Sequence, residues 1–487
     1  MVLISNRAPA SAHLLESCMH IRMVSPLLLS ATVASLLACP GRAPQPAEGE
    51  GEGEGEGEGE GEGEGRVYEF ESRFISGESS VAYRGQAARH LLLQELKARI
   101  GRTDDTVIDG KTPAQLKASF MFVYDFKADN GGTPEERITI DAFGTPLLQE
   151  TIGEIGVASL RDKTRDNDLG DDTPVIGWKS DGLAASAVAE DIIDNLVATM
   201  IARQSEIPQT PAGTPIAQSF VSAAGVDYQQ LLEKFLFGAV AFSQNCDDYL
   251  DDETDGKGLL SDNVVQVEGK PYTELEHAWD EGFGYFGAAR AYGVQSLADN
   301  AAGFVDVDGD EKADWLTEVN FGHARTGAQR DQSSATGTSF GQDAFNAFLA
   351  GRRLITNAAG ALSPAQLDEL RRYRNTAEQN WEKAIAATCI RYINGILLEL
   401  SADEAVYNFT SHTKLWSELK GALLALQFNP RSPFLVDPAK YARAHDLVGD
   451  APIIARADFN DAIADLTALK ALIQDIYGFD DADVAAW

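Results

Sequence analysis

The stretch 364–400 reads PAQLDELRRYRNTAEQNWEKAIAATCIRYINGILLEL. Ser363 stands before Pro364, and a hydroxyl residue followed by proline is a helix start. The side chain caps an orphan backbone N–H, and the proline ring presets φ. From there apolar residues recur at helical spacing to about Leu400, which predicts one helix of about 35 residues. A helix of that length needs partners along its whole apolar face. The segment 87–100 (AARHLLLQELKARI) has the same periodicity and stops at Gly101. Further helices are predicted over 184–202, 227–242, 272–292, 342–357, 413–427 and 458–477. Strand signals are few: VYEFES near residue 67 and FMFVYDF near residue 120. The expected class is therefore all-α, with amphipathic helices buried in antiparallel bundles and few short strands. Long polar loops near 130–180, 247–263 and 300–340 interrupt them, and loops of that length are commonly functional.

The chain has 487 residues, 75 acidic and 40 basic, for a net charge of −35. This excludes broad nucleic-acid binding, because phosphate contacts need clustered Lys and Arg. It equally excludes docking on anionic lipid through a basic face. A hydrophobic content of 44% supports a sizeable core. Beyond the N-terminal segment no stretch approaches the ~20 apolar residues of a membrane span.

Residues 26–37, PLLLSATVASLL, follow Arg22. A positive charge and then a short apolar core is the order of a signal peptide. The run ends in Leu36-Leu37-Ala38-Cys39, which resembles the bacterial lipobox. In that pattern the cysteine is acylated and becomes the first residue of the mature chain. Pro40 follows it rather than the aspartate of inner-membrane retention. The resemblance therefore implies an outer-membrane lipoprotein, held by its lipid anchor alone on either the periplasmic or the surface face. The expected organisation is a signal segment over 1–39, a tether over 40–65 and a helical domain over 66–487. Within the tether, 48–65 is a strict Glu-Gly repeat. Glycine removes stiffness and like charges repel, so it should be extended and solvated. With Cys18 and Cys39 in the leader, Cys246 and Cys389 remain, and an exported compartment permits a disulfide between them. Two cysteines alone do not decide the pairing.

The segment 274–287, ELEHAWDEGFGYFG, is the most distinctive. On a helix His277, Asp280 and Glu281 share one face, an imidazole and two carboxylates suited to a divalent metal. The same spacing serves a buried polar network, with Gly282 and Gly284 allowing close approach. A second motif is Asp306-Val-Asp-Gly-Asp-Glu-Lys-Ala-Asp314. Asp306, Asp308, Asp310 and Asp314 stand at positions 1, 3, 5 and 9, as oxygen ligands do in calcium loops. Glu311 replaces the turn glycine, Thr317 stands at position 12, and Glu318 lies one residue late. A structural Ca2+ and a solvated acidic loop both fit. Gly337-Thr-Ser-Phe-Gly341 matches a nucleophile elbow formally, but no strand precedes Ser339.

The run His277-Ala-Trp-Asp-Glu-Gly-Phe-Gly-Tyr-Phe-Gly287 resembles a signature of imelysin-like bacterial envelope proteins. Tyr83-Arg-Gly-Gln-Ala-Ala-Arg89, Phe345-Asn-Ala-Phe-Leu-Ala-Gly-Arg352 and the region from His412 through Glu418 to Pro430 fit the same family in order. The resemblance implies two helical-bundle halves and a link to iron uptake. The family's Gly-x-His-x-x-Glu hallmark is altered here, with Leu275 for the glycine and Asp280 for the glutamate. Arg89 and Arg352 are expected as ion-pair partners of the carboxylates, and His412 with Glu418 as a ligand or packing pair.

The resulting expectation is an outer-membrane imelysin-like lipoprotein that binds a metal ion or small ligand, with envelope transport proteins as partners and no catalysis. Two alternatives stand beside it. One is a metal-dependent peptidase or hydrolase using His277, Asp280 and Glu281. The other is a structural or protein-docking lipoprotein.

Overall fold

In a computed structural model, which describes residues 66–487 apart from 142, 166–172 and 180–181, the long stretch is a single helix, Pro364–Leu400. Its start is closed reciprocally. Ser363 Oγ accepts from the Gln366 N–H, and Gln366 Oε1 accepts from the Ser363 N–H at 3.0 Å. The expected signal segment, lipidated Cys39 and Glu-Gly tether lie outside the described residues.

Eleven helices of nine residues or more make up the body among the described residues. They are α1 (Arg84–Arg102), α2 (Pro113–Tyr124), α3 (Ala185–Ala202), α4 (Tyr228–Leu236), α5 (Glu274–Phe286), α6 (Gly322–Ser333), α7 (Phe340–Ala358), α8 (Pro364–Leu400), α9 (Phe409–Ala425), α10 (Pro438–Val448) and α11 (Phe459–Tyr477). The fold is all-α. Among the described residues β-structure amounts to isolated bridges such as Glu71 with Ser79 and Phe304 with Val319. No helix of the described residues is long and apolar enough to cross a membrane.

The long helix α8 organises the packing. Helices α6, α7, α9 and α11 lie against it, and α4 continues the layer from α9 toward α1 and α3. Trp381, fully buried at the middle of α8, touches the rings of Phe242, Phe286 and His323. Aromatic pairs of this kind add about 0.5–1.5 kcal/mol each beyond their burial. Helix α4 does not end where its α-helical turns do. It widens into π-type turns over Phe237–Phe242 and again over Asn245–Tyr249. Such widening is uncommon and often marks functional positions.

Three sequence expectations are corrected. FMFVYDF falls mostly within α2 rather than in a strand. Thr112, Pro113 and Gln115 form a capping box that nucleates the helix, and a short apolar run cannot by itself distinguish the two states. The loop expected near 300–340 contains α6. Cys246 and Cys389 are free thiols, fully buried, so the disulfide between them is not formed. Burial raises both thiols above their ordinary value, which keeps them protonated and inert.

Candidate functional site

Helix α5 carries the signature. Thr273 caps it, accepting from the Glu276 N–H, while Glu276 Oε2 accepts from the Thr273 N–H at 2.9 Å. The glycines let neighbours approach. A Cβ on Gly284 would lie 2.5 Å from Tyr83 Cβ, and one on Gly282 3.0 Å from Leu250 Cδ2. Trp279 uses the same device on α7: it is fully buried, donates to the Phe348 carbonyl at 2.8 Å, and fills the space left by Gly351.

Asp280 faces inward and is fully buried. Its Oδ1 accepts from Tyr68 O–H at 2.8 Å and from Arg352 Nε at 2.9 Å, and its Oδ2 accepts from the Ala82 N–H at 3.2 Å. Burial pushes the carboxyl up, and Arg352 opposes that. Arg352 is buried too. It also donates to Glu276 at 3.2 Å, Ser80 at 2.7 Å and Thr356, and lies 4.7 Å over the Phe70 ring. Arg73 adds a second cation 3.4 Å from Glu276. This network ties the 66–82 segment to α5 and α7.

His277 is elsewhere on the helix. Its Nδ1 is 3.1 Å from the Ala82 carbonyl, its ring stacks on Tyr272 at 4.5 Å, and its Nε2 is 3.8 Å from Glu281 Oε2. Glu281 accepts from Gln86 at 2.8 Å. The metal site expected at His277, Asp280 and Glu281 is therefore corrected: Asp280 is spent on Arg352, Tyr68 and Ala82, and the three do not converge. Arg89 donates to the Ser159 carbonyl at 3.1 Å rather than to a carboxylate. His412 is buried against Tyr407, whose O–H lies 3.0 Å from its Nδ1, and against the Phe459 ring. Burial lowers it to about 4. Glu418, a turn and a half along α9, is buried and forms no part of that contact.

One group of three metal-ligating side chains does converge among the described residues: Asp306, Asp308 and Glu318, with one oxygen of each within 4.8 Å of the others. The loop folds around its own backbone. Asp306 accepts from the N–H groups of Gly309 and Glu311, at 2.7 and 3.0 Å. Glu311 takes the left-handed conformation, φ 62°, which supplies the turn where a calcium loop has glycine. Glu318 is buried and bridges the loop, accepting from Val307 N–H at 2.7 Å and Asp314 N–H at 3.1 Å. Burial raises its carboxyl, and these amides oppose the rise. Asp310 and Asp314 do not join the group. Asp310 accepts from Lys312 N–H, and Asp314 caps the turn at Leu316 and Thr317 and accepts from Gln149 at 2.8 Å. The expected ligand set is corrected accordingly.

The family model described as Domain of unknown function (DUF4856) matches residues 187–433, about half of the chain. The chain belongs to that family. The matched DUF4856 region holds the α5 signature, the acidic loop and Arg352, whereas Tyr68, Ser80 and Ala82, which complete the buried network, lie before it. No curated protein matches the chain, and no solved structure does.

Proposed function

We propose that this DUF4856 protein is an envelope lipoprotein, anchored through Cys39 and held off the outer membrane by the Glu-Gly tether, whose helical body binds a divalent cation without turning over a substrate. The observation that carries the cation is the convergence of Asp306, Asp308 and Glu318 around a turn formed by Glu311. Hard oxygen ligands of this kind suit Ca2+, which tolerates irregular geometry and completes its shell with carbonyls and water. The ion would pin the long loop between α5 and α6. The resemblance to imelysin-like proteins adds iron-related uptake as the process served and envelope transport proteins as partners; it rests on analogy.

A binding role is favoured over hydrolysis because Asp280, the acid at the hallmark position, is locked to Arg352 in the core. The competing hydrolase reading keeps only the 3.8 Å approach of His277 and Glu281. It predicts chelator-sensitive peptide turnover that His277→Ala abolishes. The anchor is tested by labelling with a fatty-acid analogue in a bacterial host. The full chain should carry lipid and fractionate with outer membranes, and Cys39→Ser should do neither. Unlabelled wild-type chain in the soluble fraction would overturn the assignment.

A further inference from the structure

A cavity of about 460 Å³ opens between α1, α4 and α6, away from the α5 signature. Its size falls in the range of small-molecule sites. Its charge is opposite to that of the chain. Lys97, Lys234 and Arg325 line it, against one carboxylate, Glu233. In a protein of net charge −35 such a local excess is not a sampling of the average surface.

The pairing leaves positive charge over. Glu233 Oε2 lies 2.7 Å from Lys97 Nζ and 3.0 Å from Lys234 Nζ, so within the lining one carboxylate serves two ammonium groups, with Glu418, outside the lining, also favouring the charge of Lys234. Burial disfavours its charge, but the two lysines outweigh that and hold Glu233 down to about 2. Arg325 has no carboxylate partner among the described residues. It donates Nε–H to the Ala301 carbonyl at 3.2 Å and lies 5.4 Å over the Phe143 ring. Burial lowers its pKa with no acid to offset it. An unpaired, half-buried guanidinium is a ready fork for an oxyanion.

The rest of the wall sets the body of the ligand. Phe237, the first residue of the π-type turns, and Phe143 give aromatic surface. Gln329 uses its amide N–H on Ala301 at 3.3 Å, so its oxygen is left to accept. The first residue of α6, Gly322, also lines the cavity, and no side chain caps that helix end. A bare inorganic ion would leave this mixed wall largely unfilled.

We infer that the cavity bounded by Lys97, Lys234 and Arg325 binds a small organic carboxylate, with the carboxylate on the cationic side and an aromatic or hydroxyl-bearing body against Phe143, Phe237 and Gln329. This goes beyond the cation reading and does not depend on it. Val319 lies in the cavity wall directly after Glu318. The two are therefore kept apart by working in calcium-containing buffer.

The test is titration calorimetry on the full chain with 4-hydroxybenzoate and with 3-hydroxybutyrate, monocarboxylates that chelate calcium only weakly. Inorganic sulfate at low millimolar concentration and the neutral 4-hydroxybenzyl alcohol serve as controls. At least one carboxylate should bind at one equivalent, weakened by high salt, with both controls at least tenfold weaker. Arg325→Gln and Lys97→Gln should each weaken it by about tenfold or more. Glu233→Gln removes the opposing carboxylate and should tighten binding severalfold, the reverse of what a packing defect does. Circular dichroism confirms folding, and the half-exposed Lys97 variant carries the test if another variant fails to fold. Binding of neither carboxylate, equal binding of either control, or affinity unchanged in both cation variants would overturn the inference.

Discussion

Arg352 Nε and Asp280 Oδ1 lie 2.9 Å apart, and neither side chain is exposed to solvent. The pair joins α7 to α5, with Tyr68 and Ser80 drawn in from the N-terminal segment. Removing one partner of a buried pair leaves the other charge uncompensated, which costs more than the pair itself contributes. Arg352→Met should therefore destabilise the fold by about 3–5 kcal/mol. Urea unfolding would show a lower midpoint. A variant within 1 kcal/mol of wild type, about the scale of a surface pair, would contradict the network.

Gly351 is required by Trp279. A Cβ there would lie 2.0 Å from the indole Cζ2, and the indole is held by its bond to the Phe348 carbonyl. Gly351→Ala should cost about 1–3 kcal/mol as the buried ring is displaced. Tryptophan fluorescence should shift with the loss in thermal stability. An unchanged melting temperature would show that α7 and α5 can separate freely.

Helix α8 was legible because its cap and its periodicity agree over the whole of Pro364–Leu400. Helix α6 was not. Its sequence, GHARTGAQRDQS, packs through small residues such as Gly327, where a Cβ would lie 3.1 Å from Gly341 Cα. Close backbone packing leaves no apolar stripe to read. In the acidic loop Asp306 and Asp308 were found by spacing. Glu318 falls outside a template counted in sequence, because it stands one residue beyond the position where the template places its last ligand. From sequence Asp280 reads as a ligand, because its partners Tyr68, Ala82 and Arg352 are distant in sequence and spacing along one helix cannot reveal them.

Glu382 predicts a pH dependence. Burial raises its carboxyl to about 7, although Ser432, Tyr477 and Asn429 all donate to it. The folded state keeps a proton that the unfolded chain releases near 4.5. This contribution is full below pH 4.5 and is lost as pH rises to about 7, a change of ~3 kcal/mol. The buried histidines work oppositely. His90 and His412 are lowered to about 4, so their contribution is lost as pH falls below 6.5. The comparison is therefore between wild type and Glu382→Gln. The variant should lose less stability between pH 5 and 7, two values inside the window over which Glu382 ionises. Parallel curves would contradict the assignment.

The two thiols give a chemical readout. Cys246 and Cys389 are fully buried and unpaired. Alkylation mapped by mass spectrometry should leave both untouched in the native chain and modify both after unfolding without reductant. Protection that persists in denaturant until reduction would mean that they are joined.

The central claim is the cation site, and metal content measures it most directly. The full chain, equilibrated with Ca2+ and freed of unbound ion, should retain one equivalent by elemental mass spectrometry. His277→Ala should retain the same amount, whereas Glu318→Gln, which removes the charge of the buried ligand from the trio with Asp306 and Asp308, should lose it. Calcium unaffected by Glu318→Gln, or no calcium in any of the three, would contradict the account.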